Sequence, residues 1–197
     1  MVEQHEPSRM PGSPAELLVA FANSEDHEEG TDDLTTTAEL MTWLAGHGLL
    51  GRRVRATPED LQLARDLRAA VHAAMVANHD RSVGVAAAAS SSGAPGPALD
   101  DVAAALPLRL VVGADGPALA PVQDGVRGAL SQLLVAVNET VAGGTWERLK
   151  ICSADDCRWA YLDQTKNRSR AWCEWGCGNK AKTRAYRARK KAAAAPA

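Results

Sequence analysis

The fold is decided by the stretch from residue 152 to residue 191, which reads CSADDCRWAYLDQTKNRSRAWCEWGCGNKAKTRAYRARKK. It contains all four cysteines of the chain, spaced Cys152-x4-Cys157-x15-Cys173-x3-Cys177. Two close pairs suit a tetrahedral metal, because each pair closes a tight turn and the insert brings the turns together. None of the five histidines lies in this stretch. We therefore predict one structural Zn²⁺ held by four thiolates, with no open position for a catalytic water.

Three other uses of the cysteines are open at this point: two disulfides, four unrelated thiols, or a redox pair. Disulfides need an oxidising compartment, and nothing in the sequence is typical of a secreted protein. A redox dithiol usually has two residues between its cysteines and lies near a βαβ pattern, which neither pair matches. The paired spacing therefore favours zinc.

The chain around the cysteines predicts a treble-clef-like finger. Residues 149–152 and 158–162 are expected to pair as a hairpin around the first cysteine turn. Residues 172–191 are expected to form mainly a helix, with Cys173 and Cys177 on one face of its first turn. A module of this size cannot form a core of its own, so its metal holds it together. Its few packing residues are predicted to be Trp159, Tyr161 and Trp172.

Charge is divided unevenly along the chain. Residues 148–191 carry 13 Lys and Arg against 4 Asp and Glu, whereas the remainder carries 9 against 20. Four of the five tryptophans lie in or beside this basic region, at positions 146, 159, 172 and 175. A basic, aromatic-rich module behind an acidic domain indicates an anionic partner for the module.

The predicted C-terminal helix has one basic face. Its lysines and arginines recur at i, i+4, i+7 and i+11, with two more expected to flank them, and two arginines on the preceding loop extend the surface. Such a face suits phosphate contact or insertion into a groove. The alternative is a solvated, solubilising chain end. The residues predicted to bind nucleic acid are Arg168, Arg170, Lys180, Lys182, Arg184, Arg187, Arg189 and Lys191.

The larger N-terminal part is predicted to be helical. It is rich in alanine, and only 4% of the chain is aromatic, which indicates a modest core. N-cap signals predict four helices, beginning after Ser13, Thr36, Thr57 and Asp124. A small β-hairpin is predicted across residues 106–122.

The predicted fold class is therefore mainly α with a small β-hairpin. A helical N-terminal domain (13–145) is followed by a small C-terminal treble-clef-like zinc finger (146–191). Residues 82–101, a run rich in Ala, Ser, Gly and Pro, are predicted to be a flexible loop inside the first domain. Residues 1–12 and 192–197 are predicted to be disordered.

Residues 172–182, Trp-Cys-Glu-Trp-Gly-Cys-Gly-Asn-Lys-Ala-Lys, resemble the CGNR zinc finger, named for the tetrapeptide at its last ligand. The similarity extends back to Cys152 and forward along the basic helix to Arg189. Position 180 is lysine where the family name has arginine, which keeps the charge but weakens a bidentate contact. In this family the finger follows an ABATE domain, a proposed stress-induced transcription regulator domain, which residues 21–24, the helix near Trp43 and residues 60–75 resemble. The resemblance implies DNA binding and transcriptional regulation.

We accordingly predict a two-part regulator. The helical domain is expected to take a small-molecule effector or a protein partner, and the finger is expected to bind DNA. A rival is a finger that binds protein or RNA. An enzyme is disfavoured, because no paired carboxylates, activated nucleophile or open metal site can be identified. With no apolar signal core and no run approaching about 18 apolar residues, no membrane association is expected and the predicted location is cytoplasmic, at the nucleoid if DNA is bound.

Two further expectations concern the acidic domain. The loop at residues 25–33, with six carboxylates, is predicted to be a solvated surface segment. The charge division suggests that the acidic domain masks the finger until a ligand or partner releases it. Asn23, at a helix end, fits either a cap or a pocket residue.

Overall fold

The computed structural model describes residues 12–51, 54–84, 98–114 and 116–193, with side chains described as far as residue 190. Within these ranges there are six helices, one 3₁₀ turn (Trp146–Arg148) and three two-stranded antiparallel sheets. The helices are α1 Pro14–Ala22, α2 Thr37–Gly46, α3 Pro58–Val83, α4 Leu99–Ala103, α5 Gly125–Ala142 and α6 Cys177–Ala193. The strands are β1 Glu25–Asp26, β2 Thr31–Asp32, β3 Leu108–Gly113, β4 Gly116–Pro121, β5 Leu149–Ile151 and β6 Ala160–Leu162. The predicted fold class, mainly α with a small C-terminal finger, is confirmed.

The N-caps explain where three of the helices begin. The hydroxyls of Ser13 and Thr36 each accept a hydrogen bond from the backbone N–H three residues on, at 3.2 Å. Thr57 and Asp60 form a reciprocal capping box at the start of α3. Asp124 occupies the N-cap position of α5, but its side chain makes no capping hydrogen bond. The local sequence thus sets the start of α1, α2 and α3.

Several predicted boundaries were wrong. Residues 82 and 83 belong to α3, which ends at Gly84 in the left-handed conformation, and residues 99–101 belong to the short helix α4. The described residues of the first part therefore form five helices, where four were expected. Residues 192 and 193 continue α6. The predicted disorder of residues 1–11 and 194–197, and the predicted flexible loop at 85–97, lie outside the described residues.

The acidic loop is more ordered than the sequence suggested. Strands β1 and β2 pair within it, and the buried guanidinium of Arg68 donates to both carboxylate oxygens of Asp32, at 2.6 and 2.9 Å. The hydrogen bond from Arg68 lowers the pKa of Asp32 below its ordinary value. Glu25 lies 3.2 Å from the same guanidinium. Two of the six carboxylates therefore fasten the loop to α3, and a third, Asp26, accepts hydrogen bonds from the N–H groups of Glu28 and Glu29 within the loop.

One hydrophobic core joins the helices to the hairpin β5–β6. Helix α1 packs on α5 and β6, and α3 packs on β5. Leu149, Ile151 and Ala160 of the hairpin are buried in the same cluster as Phe21 and Trp43, whose rings are 5.2 Å apart. The boundary predicted between residues 145 and 146 thus crosses a continuously packed region, and the division into two domains stays a prediction.

Candidate metal centre and basic helix

The four cysteines come from four different local structures and meet at one point. Cys152 follows β5, Cys157 ends the turn before β6, Cys173 directly precedes the turn at 174–176, and Cys177 is the first residue of α6. Their sulfurs all lie within 4.8 Å of one another, and all four residues are buried. None forms a disulfide. The arrangement fits the four thiolates of a tetrahedral zinc site.

Backbone hydrogen bonds form the first cysteine turn. The N–H of Cys152 donates to Trp159 O at 2.9 Å, which closes the hairpin. The N–H groups of Cys157 and Arg158 both donate to Ala154 O, at 3.0 and 3.1 Å. Arg158 takes a left-handed φ of 52°, which reverses the chain directly after the second ligand. The two sulfurs of this pair are thereby turned to the same side.

The second cysteine turn corrects the prediction that a helix begins at residue 172. Residues 173–176 are not helical, and Gly176 has a φ of 82°, a conformation that favours glycine. Its carbonyl accepts from the N–H groups of Asn179 and Lys180, so α6 starts beyond it. Only Cys177 is on the helix, yet the Sγ atoms of Cys173 and Cys177 are 3.7 Å apart.

The electrostatics of the cluster favour a bound cation. Burial raises the pKa of the Cys157 thiol, and it raises the pKa of Cys173 to about 12, because a buried thiolate lacks solvation. Cys152 and Cys177 raise both pKa values further, whereas the hydrogen bond with Cys157 lowers the pKa of Cys173 in part. A divalent cation supplies the opposing charge and holds the thiols deprotonated. Four buried sulfurs with no histidine among them form a zinc-binding site, and one structural Zn²⁺ fits it.

Asp163 organises the loop between the two cysteine turns. Its carboxylate accepts from Lys150 Nζ at 2.7 Å, from the hydroxyl of Thr165 at 2.6 Å and from the N–H of Arg170 at 3.0 Å. Burial alone would raise the pKa of Asp163, but the hydrogen bonds from Lys150 and Thr165 outweigh it and lower the pKa to about 2. Lys150 also donates to the carbonyl of Arg168. The buried ion pair therefore fixes the path of the loop that carries two predicted DNA-binding arginines.

Side chains of the helical part hold the finger hairpin. Asn78 on α3 donates to the carbonyls of Trp146 and Leu149, at 2.8 and 3.1 Å. His79 Nε2 lies 2.8 Å from the hydroxyl of Ser153, beside the first ligand. Asn23, the C-cap residue of α1, exchanges two hydrogen bonds with the backbone of Ala160. Asn23 is thus both a cap and a contact with the finger, which settles the question left open by the sequence.

The two arginines of the loop are both engaged. Arg170 donates from Nε to Trp172 O at 2.7 Å, and its guanidinium lies 5.3 Å from the centre of the Tyr161 ring. Arg168 contacts the exposed carboxylate of Glu147 at 3.1 Å. Arg170 thus supports the finger itself, whereas Arg168 remains partly exposed at the surface.

Helix α6 carries the other six predicted residues. Every residue from 182 to 190 is exposed, so this part of the helix projects from the body. With 3.6 residues per turn, Lys180, Arg184, Arg187 and Lys191 share a face as predicted. Lys182 and Arg189 were expected to flank that face, but a regular helix places them on the opposite one, so the prediction was wrong. The side chain of Lys191 lies outside the described residues.

Lys180, Arg184, Arg187 and Lys191 share one basic face of α6. The two of them closest to the start of the helix contact acidic side chains. Lys180 Nζ lies 3.0 Å from Glu28 of the acidic loop, and Arg184 lies 3.2 Å from Asp156 of the first cysteine turn. These contacts lower the pKa of Asp156, through the hydrogen bond from Arg184, and raise that of Lys180, through the hydrogen bond to Glu28. No ion pair is recorded for Lys182, Arg187 or Arg189 with any residue that the structure describes.

Sequence reasoning missed several features of the site. It did not identify the Lys150–Asp163 pair, the contact of Glu28 with Lys180, or Lys190 as a further exposed cation. It also did not predict a shallow cavity of about 290 Å³ in the helical part, where α1, the end of α2 and α5 meet. Its lining includes Leu17, His47, Leu49, Val135 and Glu139.

Comparison with known families gives two matches. Residues 15–147 match the family ABATE, described as "Putative stress-induced transcription regulator", and residues 148–190 match the CGNR zinc finger. No curated protein matches the chain. Among the described residues, no helix is long and apolar enough to cross a membrane.

Proposed function

The chain belongs to the ABATE family and ends in a CGNR zinc finger, and from this membership we propose that it regulates transcription by binding DNA through α6. The proposal assigns the protein a binding role and no catalytic one. A location in the cytoplasm, at the nucleoid, follows from the same proposal.

The observation that carries the proposal is the exposure of a basic helix fixed at one end to a metal site. Helix α6 begins at Cys177, so the zinc-binding site holds its first turn, while residues 182–190 are exposed on all sides. An α-helix with its side chains is about 10–12 Å in diameter and matches the major groove of B-DNA, which is about 12 Å wide. A helix that is polar all round gains little by packing on its own protein. A polyanion such as DNA is a suitable binding partner for this exposed basic helix.

The exposed cations divide into two groups by their present contacts. Lys182, Arg187 and Arg189 are exposed and have no recorded ion pair with the described residues, so they can contact phosphates without first losing a partner. Lys180 and Arg184 must exchange a carboxylate for a phosphate. Arg168, which is exposed on the loop before α6, is assigned a further phosphate contact, and Lys191 remains a contact predicted from the sequence. Arg170 acts indirectly, because its Nε holds the carbonyl of Trp172.

The helical part is assigned the sensing or assembly role. The shallow cavity beside α1 and α5 offers apolar side chains together with the imidazole of His47 and the carboxylate of Glu139. A small effector with both apolar and polar groups suits such a lining. Because the finger hairpin shares the helical core, an effector that shifts α1 would also move β6.

The test is binding of the zinc-loaded full chain to fluorescent duplex DNA at several salt concentrations. If four or five phosphates are contacted, the log–log slope of affinity against salt is about -4. Lys182→Ala combined with Arg189→Ala is expected to reduce the slope by about 2 and weaken binding to all duplexes. Arg55→Ala removes an exposed arginine elsewhere and serves as the matched control. A DNA affinity that changes neither with salt concentration nor with the double substitution would refute the proposal.

A second candidate is an RNA- or protein-binding finger. Two large aromatic side chains beside the basic residues, Trp175 and Tyr186, are 55% and 61% exposed. Exposed aromatics offer stacking faces for unpaired bases, and they also anchor protein interfaces. Competition by single-stranded RNA against labelled duplex DNA separates the candidates. Displacement of the duplex by a lower concentration of RNA than of unlabelled duplex would favour RNA.

A further inference from the structure

The hairpin β3–β4 has one open edge and one closed edge. It is an isolated two-stranded sheet in which Leu108 pairs with Pro121 and Gly113 pairs with Gly116. Strand β4 lies against α5, whereas β3 makes an extended contact with β4 alone among the described elements. The uncovered edge of β3 presents unpaired backbone N–H and C=O groups, which are a template for pairing with another strand.

The register decides which backbone groups face outward. Gly113 and Gly116 flank the two-residue turn and form a hydrogen-bonded pair, and bonded pairs alternate with non-bonded pairs along the ladder. The N–H of Val122 donates to Pro107 O at 3.1 Å, which agrees with this alternation. The N–H and C=O groups of residues 108, 110 and 112 therefore point away from β4. No hydrogen bond to them is recorded from the described part of the chain.

Prolines close the other edge. Pro117 and Pro121 oppose Val112 and Leu108 and so stand at the non-bonded positions of β4. Their nitrogens face the outer edge of that strand, where proline removes the donor a further strand would use. Strand β3, Leu-Arg-Leu-Val-Val-Gly, has no proline and one charge. Of the two edges of this hairpin, the β3 edge is therefore the one open to strand addition in the part of the chain that the structure describes.

Side chains on one face of β3 are apolar and uncovered at the tip. Leu108, Leu110 and Val112 share this face because side chains alternate along a strand. Leu108 packs on the core at the base of the hairpin, but Leu110 is 66% exposed and Val112 is 79% exposed. Exposed aliphatic side chains beside an unpaired backbone edge are typical of an interface.

We propose that two copies of this chain pair along β3, antiparallel and about a twofold axis at Leu110, to form one four-stranded sheet. In this register Leu110 lies opposite its own copy, and Leu108 lies opposite Val112 of the other copy. Arg109 lies opposite Val111, so no two like charges meet. The register also brings the exposed tip of each hairpin to the base of the other, where Leu108 packs on the core. A second copy would therefore form hydrogen bonds with the outward N–H and C=O groups of β3. It would also cover the exposed side chains of Leu110 and Val112.

The first experiment measures the mass of the zinc-loaded full chain by light scattering at up to about 100 µM, where about nine tenths of the chains are dimeric if the dissociation constant is about 1 µM. We expect a dimer. Leu110→Glu and Leu110→Lys each place two like charges opposite one another at the axis, so each variant is expected to be monomeric. An equimolar mixture places Glu opposite Lys and is expected to restore the dimer. Ala118→Glu, a charge at an exposed site on the other strand, is the matched control and should remain dimeric.

The second experiment tests the register itself by oxidation of the zinc-loaded protein. Residues in a hydrogen-bonded antiparallel pair have Cα atoms about 5.5 Å apart, within disulfide range. Leu110→Cys is therefore expected to cross-link to its copy, whereas Val112→Cys, opposite residue 108, should not. Unchanged circular dichroism and zinc content establish that each variant is folded. A monomeric wild type overturns the proposal, including the case in which another segment of the same chain covers β3. A dimer that persists in both Leu110→Glu and Leu110→Lys overturns it as well.

Discussion

The side-chain amide of Asn23 forms two hydrogen bonds with the backbone of Ala160: its Nδ2 donates to the carbonyl at 2.9 Å, and its Oδ1 accepts from the N–H at 2.7 Å. Asn23 ends α1 and Ala160 begins β6, the strand that follows the first cysteine turn. A side-chain amide carries the same kinds of donor and acceptor as a backbone peptide. The Asn23 amide therefore pairs with Ala160 as the backbone of a neighbouring strand would. The pair joins the helical part to the finger hairpin.

Replacement of Asn23 tests this connection. Asn23→Ala leaves the buried N–H and C=O of Ala160 unpaired, and we expect a loss of unfolding free energy of about 1–3 kcal/mol. Asn23→Asp is expected to cost at least as much, because a carboxylate then faces the carbonyl of Ala160. Urea denaturation measures both, with the exposed Asn138→Ala as the control. A cost for Asn23→Ala no larger than that of the control would contradict the assigned role.

The buried pair of Lys150 and Asp163 gives a second prediction. Neither side chain is exposed, and Asp163→Ala leaves a buried ammonium without its counter-charge. We expect a loss of about 3–5 kcal/mol, whereas the same change at the exposed Asp155 should cost little. Substitution of both partners, Lys150→Met with Asp163→Leu, is expected to be less damaging than Asp163→Ala alone. Equal stability of the Asp155→Ala and Asp163→Ala variants would show that the pair is not buried in solution.

Zinc content tests the metal centre. The native protein is expected to hold one zinc ion per chain by mass spectrometry, and Cys173→Ala should abolish stoichiometric binding and lower the melting temperature. The physical reason is that metal binding contributes on the order of 10–16 kcal/mol to modules of this kind. Glu174→Ala, an exposed neighbour, should retain one ion. Metal-free native protein with linked thiols would exclude the site.

His72 predicts a loss of stability in mild acid. Burial lowers its pKa to about 4, and its Nε2 lies 3.3 Å from Arg158 O, with His27, Arg68 and Arg158 nearby. Since the unfolded state binds the proton at about pH 6.5, stability falls as the pH drops from about 6.5 towards 4.

We expect His72 to contribute a loss of about 1–2 kcal/mol between pH 7 and pH 5. His72→Gln removes this titration but leaves the zinc ligands unchanged, so the difference between the two denaturation profiles isolates the histidine. Parallel profiles for the variant and the native chain would rule out the lowered pKa.

The contact of Glu28 with Lys180 turns the masking hypothesis into a measurable effect. A surface ion pair of this kind is weak, so Glu28→Gln is expected to strengthen DNA binding by only about twofold to fivefold at low salt. Glu29→Gln removes the neighbouring exposed carboxylate and is the matched control. An equal gain for both variants would indicate general charge repulsion instead of a specific mask. The full chain is the appropriate material, because the finger hairpin is buried in the helical core.

Features that depend on neighbouring residues could be predicted from the sequence. The four ligands follow from two short cysteine spacings, and three helix starts follow from hydroxyl caps followed by an acidic residue. The late start of α6 also had a local signal, since glycine at position 176 favours the left-handed conformation found there.

Contacts between distant positions gave no such signal. Asn23 and Ala160 are 137 residues apart, and Glu28 and Lys180 are 152 apart. An asparagine at a helix end and a glutamate in an acidic loop each have many local explanations, and only the packed chain selects one. The positions of Lys182 and Arg189 around α6 could have been worked out from the sequence. At 3.6 residues per turn, both lie on the side opposite the face formed by Lys180, Arg184 and Arg187.

The burial of Leu149 and Ile151 against α3 has a consequence for how such proteins diversify. Transplanting the segment after residue 147 onto an unrelated scaffold would strip both side chains of their cover, and the graft would need a replacement surface of matching shape. Recombination at this junction is therefore expected to destabilise the protein. Substitutions on the two sides of the junction are expected to be correlated.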